Sequence, residues 1–288
     1  MPSWSGQSRG NVLGYKIFVF FLRHIGLSAA YFLLRFVALY FCFFSGKAGH
    51  HIHSYFRQMR GYGYWKSLIK VYQNYYIFGQ TLIDKVAILS GFKTNFTYDF
   101  DGEENLVEIL KQGKGGILIS AHIGNFEISG NFLQRLNSRL HLVTTDAEHA
   151  HIRNYLNSVM IHNKTDFIIV KEDLSHIFHI NKALKNNEMI VFTGDRFMGT
   201  TKKIKGKLLG KDAWFPAGPF KLACRHKIPT IFVFVMKETN NHYHFYGRMA
   251  STKDGPEKLL EQYTTIIESM LEKYPEQWFN YYDFWAEK

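Results

Sequence analysis

From Asn95 onward the chain alternates between short apolar runs and helical stretches, and few architectures accommodate that alternation. FTYDFDG reads as a strand and turn, ENLVEILKQG as a helix that stops at glycine, and GGILISAH as a buried strand running into a loop. LHLVTTD, DFIIVK and MIVFTGD repeat the pattern, each an apolar run ending in a polar or charged residue. The pattern predicts an α/β fold, a mostly parallel central sheet flanked by helices. Ligands gather at the carboxyl ends of strands in such sheets. The ends to examine are therefore SAH (120–122), TTD (144–146), VKED (170–173) and TGDR (193–196). IPTIFVFVMKE and YHFYGRM (228–238 and 243–249) read as a closing pair of strands, and residues 256–273 as an amphipathic last helix before Pro275.

The first part of the chain has a different texture. Residues 16–44 are its most hydrophobic part, interrupted by Arg23 and Arg35. No uncharged window of about 18 residues remains, as a clean transmembrane helix would show. A signal peptide fits poorly, because the run is too long and no small-residue cleavage site follows. The segment is expected to be one helix that inserts into the bilayer or lies against it, its arginines reaching the headgroups; the alternative is a buried helix of a soluble core. Residues 53–90 read as helical, with Tyr72, Tyr75, Tyr76 and Phe78 beside Lys66 and Lys70, and a break at Gly61 and Gly63. The economical division is an N-terminal membrane-associated helix in residues 1–50 and one α/β domain in 51–288.

A formal charge of +11 predicts attraction to something anionic: nucleic acid, an acidic lipid surface, an acidic carrier protein or a phosphorylated substrate. Aromatic residues, 26 Phe and 17 Tyr, are abundant, and Tyr favours places where an apolar body meets water. The chain lacks an RNA-binding aromatic motif, a helix-turn-helix signature and a zinc finger, so no nucleic acid is expected as partner. Its two cysteines, Cys42 and Cys224, form no disulfide framework or CxxC site, which suits a reducing compartment. His50, His51 and His53 cluster without a metal-binding pattern, and no metal is expected.

The most informative segment is Ser120-Ala-His-Ile-Gly-Asn-Phe-Glu127. A buried strand delivers His122 to a loop, Gly124 permits a tight turn, and Glu127 follows one helical turn later. Imidazole and carboxylate can therefore meet across the turn. A carboxylate bonded to one ring nitrogen fixes the tautomer and raises the basicity of the other, as acid–base catalysis near neutral pH requires. The competing reading is a core histidine beside a solvated glutamate.

SAHIGNFE resembles the His-x4-Asp/Glu block of the lysophospholipid acyltransferase superfamily, and in its His-x-Gly-Asn-aromatic-Glu form it resembles the late acyltransferases of lipid A biosynthesis. VFTGDRFMG is similar to the later Asp-containing block, WFPAGPFKLACRHKIPTIFVFV to the Pro-x-Gly-Pro helix and following strand, and YPEQWF to the C-terminal signature. The resemblance runs in order over roughly residues 10–280 and implies a glycerol-phosphate acyltransferase-like fold. It implies an O-acyltransferase that moves a fatty acyl group from an acyl thioester, on acyl carrier protein or coenzyme A, to a lipid hydroxyl. His122 would be the general base and Glu127 its orienting partner. No covalent intermediate and no cofactor are implied, and Cys224 is then structural. A membrane surface is the expected partner, at the cytoplasmic face of an inner membrane.

The oxyanion of the tetrahedral intermediate needs donors, and the amides of Gly124 and Asn125 are candidates; Asn125 could instead cap the helix. Arg196 is a candidate for bidentate binding of a phosphate or carboxylate, with Asp195 holding neighbouring loops, or the two form a structural ion pair. Arg153 lies where the lipid A enzymes carry substrate-binding arginines, and Lys164 stands where a second one would be sought. Lys202, Lys203, Lys205, Lys207 and Lys211 form a basic run suited to an acidic carrier or anionic headgroups, as a solvated loop or as one dipping Ile204, Leu208 and Leu209 into a membrane. The ending PEQWFNYYDFW departs from the basic tail of the lipid A enzymes. Lipid A precursor, lysophospholipid, aminoacyl lipid and aryl polyene or resorcinol alcohol all stay open as acceptors, with a non-enzymatic binder of acidic lipid or nucleic acid as the alternative class.

Overall fold

The computed structural model describes residues 12–129, 138–144, 150–160, 166–171, 173–197 and 201–285, without the side chains of residues 150, 152, 153 and 157. Asp146, Lys164, Glu172 and the Arg153 side chain thus lie outside the described residues.

Four helices come first: α1 (Val12–His24), α2 (Leu27–Phe44), α3 (Lys47–Ser54) and α4 (Tyr64–Leu89). The single apolar helix expected over residues 16–44 is in fact two, because Gly26 takes φ 106°, a conformation other residues rarely adopt, and the chain turns there. The break around Gly61 and Gly63 is where it was expected: α3 passes through a wide helical turn at Tyr55–Met59 and α4 starts after Gly63. α2 packs along α4 so closely that a Cβ on Gly79 would overlap Leu34, which makes Gly79 a packing requirement. Val19, Leu22, Ala30, Tyr31, Leu34, Ile83, Val86 and Ala87 fill this helical core. The outer face is unusually greasy. Leu13, Ile17 and Phe20 on α1, Phe32, Phe36, Leu39, Tyr40 and Phe43 on α2, and Tyr64, Trp65 and Ile69 on α4 are all exposed.

The α/β part follows as β1 (Thr97–Asp101), α5 (Glu103–Lys111), β2 (Gly116–Ser120), β3 (Leu140–Thr144), α6 (Ala150–Val159), β4 (Asp166–Ile169), α7 (Ser175–Lys185) and β5 (Met189–Thr193). Then come β6 (Lys203–Leu208), β7 (Lys211–Pro216), α8 (Ala217–His226), β8 (Thr230–Thr239), β9 (His242–Ala250) and α9 (Pro256–Lys273). Seven strands form one sheet in the order β1-β9-β8-β2-β5-β3-β4, parallel except for the β8–β9 pair. β8 and β9 therefore do not close the sheet, as the sequence suggested, but lie inside it with β1 outside them.

Period-two patterning puts each central strand's alternate residues on opposite faces. Ile117, Ile119, Ile190, Phe192, Phe232 and Phe234 face the layer of α4, α8 and α9, where Val71, Phe220 and Tyr263 meet them. Leu118, Met189, Val191, Ile231 and Val233 face α5 through Leu106 and Ile109. Each such buried side chain contributes roughly 1.5–3 kcal/mol, and with both faces covered the strand ends are held rigidly.

The lysine run is an antiparallel hairpin, β6–β7, and not a loop. Alternation turns Lys205 and Lys207 outward and buries Ile204 and Leu208 in the core cluster that includes Leu260 of α9. The expected dipping of these apolar residues into a membrane is thereby corrected: they already have a protein interior to occupy.

Candidate active site

β2 and β5 are neighbours in register, Ser120 opposite Thr193. Two residues beyond each strand end stand His122 and Asp195, and the parallel register brings them face to face. Asp195 accepts two hydrogen bonds, from the His122 backbone N–H at Oδ2 (3.0 Å) and at Oδ1 from ring Nδ1 (2.8 Å). Its side chain is 3% exposed, whereas the His122 side chain is 18% exposed. The imidazole is thus fixed from behind by a buried carboxylate while part of the ring reaches solvent.

Electrostatics suits a base. Burial, and then the nearby Arg196 charge, hold the His122 pKa below the ordinary 6.5, against the opposing pull of Asp195 and Glu127. The ring is neutral at pH 7, with its Nδ1 proton toward Asp195. Burial pushes the Asp195 carboxyl up, but His122 and Arg196 outweigh it, so Asp195 stays ionised.

Glu127, the expected orienting partner, forms an ion pair with Lys85 of α4, and the carboxylate hydrogen-bonded to Nδ1 is Asp195. Glu127 still favours the charged imidazole through space. The structure also corrects the proposed oxyanion donors. Gly124 N–H donates to the Gln277 carbonyl (2.9 Å) and Asn125 N–H to the Val235 carbonyl (2.7 Å), so both amides are already committed. Gly124 takes φ 63°, and a Cβ there would collide with Val235, so the turn demands glycine. The Asn125 amide group points inward, donating to the Thr81 carbonyl (3.0 Å) and the Tyr243 hydroxyl (3.3 Å), and it caps no helix. Gly124 and Asn125 hold the loop in place; they are not its ligand-facing part.

Arg196 donates to the Phe279 carbonyl and lies over the Tyr282 ring at 5.8 Å. Lys203 Nζ lies 5.0 Å over Phe197, so the hairpin starts beside the site, and Lys202 is exposed next to it. Lys205 pairs with Asp212 at 2.7 Å on the exposed hairpin surface. Cys224 is partly buried, and burial raises its thiol pKa, which disfavours the nucleophilic thiolate. Among the described residues no three His, Cys, Asp or Glu side chains gather as a metal cluster. A cavity of about 480 Å³ lies at the far sheet edge between β4 and α7, lined by Arg139, His141, Lys171, His179 and Lys182, with none of the residues above.

The segment YPEQWF straps the His122 loop from outside. Phe279 N–H donates to the His122 carbonyl (3.0 Å), and Trp278 bridges Ile123 in antiparallel fashion. Gln277 bonds both sides of the Lys237 backbone, its Oε1 accepting at 2.9 Å and its Nε2 donating at 2.7 Å. Asn74 of α4 donates to the carbonyls of Glu276 and Trp278, each at 2.9 Å, and Lys70 pairs with Glu276. These roles for Gln277, Asn74 and Lys85 were not read from the sequence, since nothing local to them announces a partner about 40 to 200 positions away.

The family profile described as "Bacterial lipid A biosynthesis acyltransferase" matches residues 15–285. The crystal structure of the 1-acyl-sn-glycerophosphate (LPA) acyltransferase PlsC from Thermotoga maritima is similar at 12% identity and a TM-score of 0.40, over 87% of this chain and 98% of that one. No curated protein matches the chain.

Proposed function

Since this chain belongs to the bacterial lipid A biosynthesis acyltransferase family, and is an acyltransferase for lipid-like substrates, we propose that it works at a membrane, moving a fatty acyl group from a carrier thioester to an acceptor hydroxyl with His122 as general base. The observation that carries this reading is the His122–Asp195 pair at the ends of two adjacent buried strands. His122 Nε2 takes the hydroxyl proton as the oxygen attacks the thioester carbonyl. The tetrahedral oxyanion collapses, the C–S bond breaks, and the imidazolium returns its proton to the departing thiolate. Asp195 and Glu127 both favour the transient imidazolium. No acyl-enzyme forms.

The outward lysines of the hairpin, with Lys202 and Lys203 at the site's edge, suit the phosphates of coenzyme A or of a carrier's phosphopantetheine arm, and the acidic surface of an acyl carrier protein. Arg196, beside the base, suits an acidic group of the acceptor. The exposed apolar face of α1, α2 and the start of α4 suits burial in the cytoplasmic leaflet of an inner membrane, with Trp65 and Tyr64 at headgroup level. α2, at 18 residues and mean hydropathy 1.9, is long and apolar enough to cross a bilayer; its inner face packs on α4. The proposal is that it lies in the interface.

The test is mass spectrometry of lipid extracts from cells lacking the gene, complemented with wild type or His122→Ala. An acylated product should appear with wild type only, its hydroxyl precursor accumulating with the variant. The mass of that pair distinguishes a lipid A precursor from a lysophospholipid, an aminoacyl lipid or an aryl polyene or resorcinol alcohol. Equal profiles for the two complemented strains would refute the assignment of the base.

A further inference from the structure

Beneath the His122 loop lies an ion pair that the mechanism does not use. Asp84 of α4 and Lys237 of β8 are both buried, with Nζ 2.6 Å from Oδ2. The Tyr31 hydroxyl of α2 donates to Asp84 Oδ1, and the Tyr243 hydroxyl of β9 donates to Oδ2. Lys237 Nζ also donates to the Tyr31 hydroxyl (3.0 Å) and to the Asn240 carbonyl (2.7 Å), so an ammonium with three N–H bonds has three acceptors. The rings of Tyr31, Phe96 and Tyr243 surround it at 5.2, 5.6 and 4.7 Å.

Removing two charges from water is costly, and an apolar pair of similar volume would commonly stabilise as well. What distinguishes this cluster is what it joins. Tyr31 is on the inner face of α2, whose outer face presents Phe32, Phe36, Leu39, Tyr40 and Phe43. Tyr243, at the other end, accepts from Asn125 Nδ2, and Asn125 is three residues from His122. A continuous run of buried polar contacts therefore leads from α2 through Asp84 and Tyr243 to the loop that carries the base. The Lys237 backbone is in turn held by Gln277, whose carbonyl takes the Gly124 N–H.

We propose that Tyr31, Asp84, Lys237 and Tyr243 form a positioning network that ties the His122 loop to the seat of α2, so that the base takes its working position only when α2 is docked on α4. The proposal rests on the reading of His122 as base; these four residues act through the loop and touch no substrate.

Tyr243→Phe and Tyr31→Phe, singly and together, remove hydroxyls without adding volume, and Ile109→Val on α5 serves as a control for mild core destabilisation. Two readouts are needed on the full chain in detergent micelles: kcat and KM for an acyl thioester, and nitrogen-15 spectra of labelled histidine assigned with His122→Gln. Tyr243→Phe should lower kcat about tenfold or more with KM within about twofold, as expected of a displaced base. Tyr31→Phe should act in the same direction, the double variant falling short of the product of the two effects because they share one route. The His122 Nδ1 proton signal should shift or broaden in both variants and stay unchanged in Ile109→Val. Folded Tyr243→Phe with wild-type kcat and an unmoved His122 signal would overturn the proposal. If wild type itself transfers no acyl group, the functional reading fails, and the spectra still decide whether the network positions His122.

Discussion

Asp195→Asn is an isosteric change whose effect follows from counting donors and acceptors. Asp195 accepts at both oxygens, from the His122 backbone N–H at 3.0 Å and from ring Nδ1 at 2.8 Å. Asparagine has one acceptor oxygen and one NH2. The backbone N–H cannot turn away, and setting an amide NH2 against it would leave buried donors unpaired at about 1–3 kcal/mol each. The oxygen therefore stays on the backbone and the NH2 faces Nδ1, which must then act as acceptor. The ring proton moves to Nε2, and the lone pair needed for the acceptor hydroxyl is gone. The analogous carboxylate-to-amide change in a serine protease triad lowers kcat by about 10⁴, and the same magnitude is expected here, about 5.4 kcal/mol of transition-state stabilisation. The assay is thiol release from an acyl thioester by purified protein in mixed micelles with the acceptor identified by lipid profiling, alongside a melting curve to confirm folding. A folded Asp195→Asn protein that kept more than about a tenth of wild-type kcat would refute the tautomer argument.

Activity should rise with pH along an acid limb set by deprotonation of His122, with a midpoint below the ordinary imidazole value of 6.5. Arg196→Met removes a charge that lowers this pKa and should move the limb to higher pH, while Glu127→Gln removes one that raises it and should move the limb lower; kcat/KM profiles check both signs. Phe36→Asp together with Phe43→Asp places charges on the exposed face of α2 and should abolish flotation with anionic vesicles while leaving the far-ultraviolet circular dichroism spectrum intact.

Much of this arrangement was legible in residue order. GGILIS and MIVFT become buried strands because central strands covered on both faces need apolar residues at every position, whereas DFII, at the sheet edge, leaves Phe167 exposed. The position of His122 was legible too, since it follows such a buried strand. Its partner was harder to read. Glu127 is nearest in sequence, but Asp195 becomes the neighbour because β5 lies beside β2, and strand order is not written in either segment. Gly26 was hidden inside a hydrophobic run where hydropathy averages across one residue, so two helices read as one. Ile204 and Leu208 alternate with lysines, a strand signature whose buried face belongs to α9, and charge density masked it. Asp84 and Lys237 each stand next to an opposite charge in sequence, Lys85 and Glu238, so nothing local announces that they pair with each other.

The strap formed by residues 274–279 also bears on biosynthesis. A ribosome delivers His122 and Asp195 long before it delivers Gln277 and Phe279, whose groups clasp Gly124 and the His122 carbonyl. Until translation has passed that point, the nascent chain holds His122 on an unfastened turn. On the proposed assignment of His122 as base, a chain truncated ahead of the clasp is expected to meet lipid through its greasy N-terminal helices without acylating it.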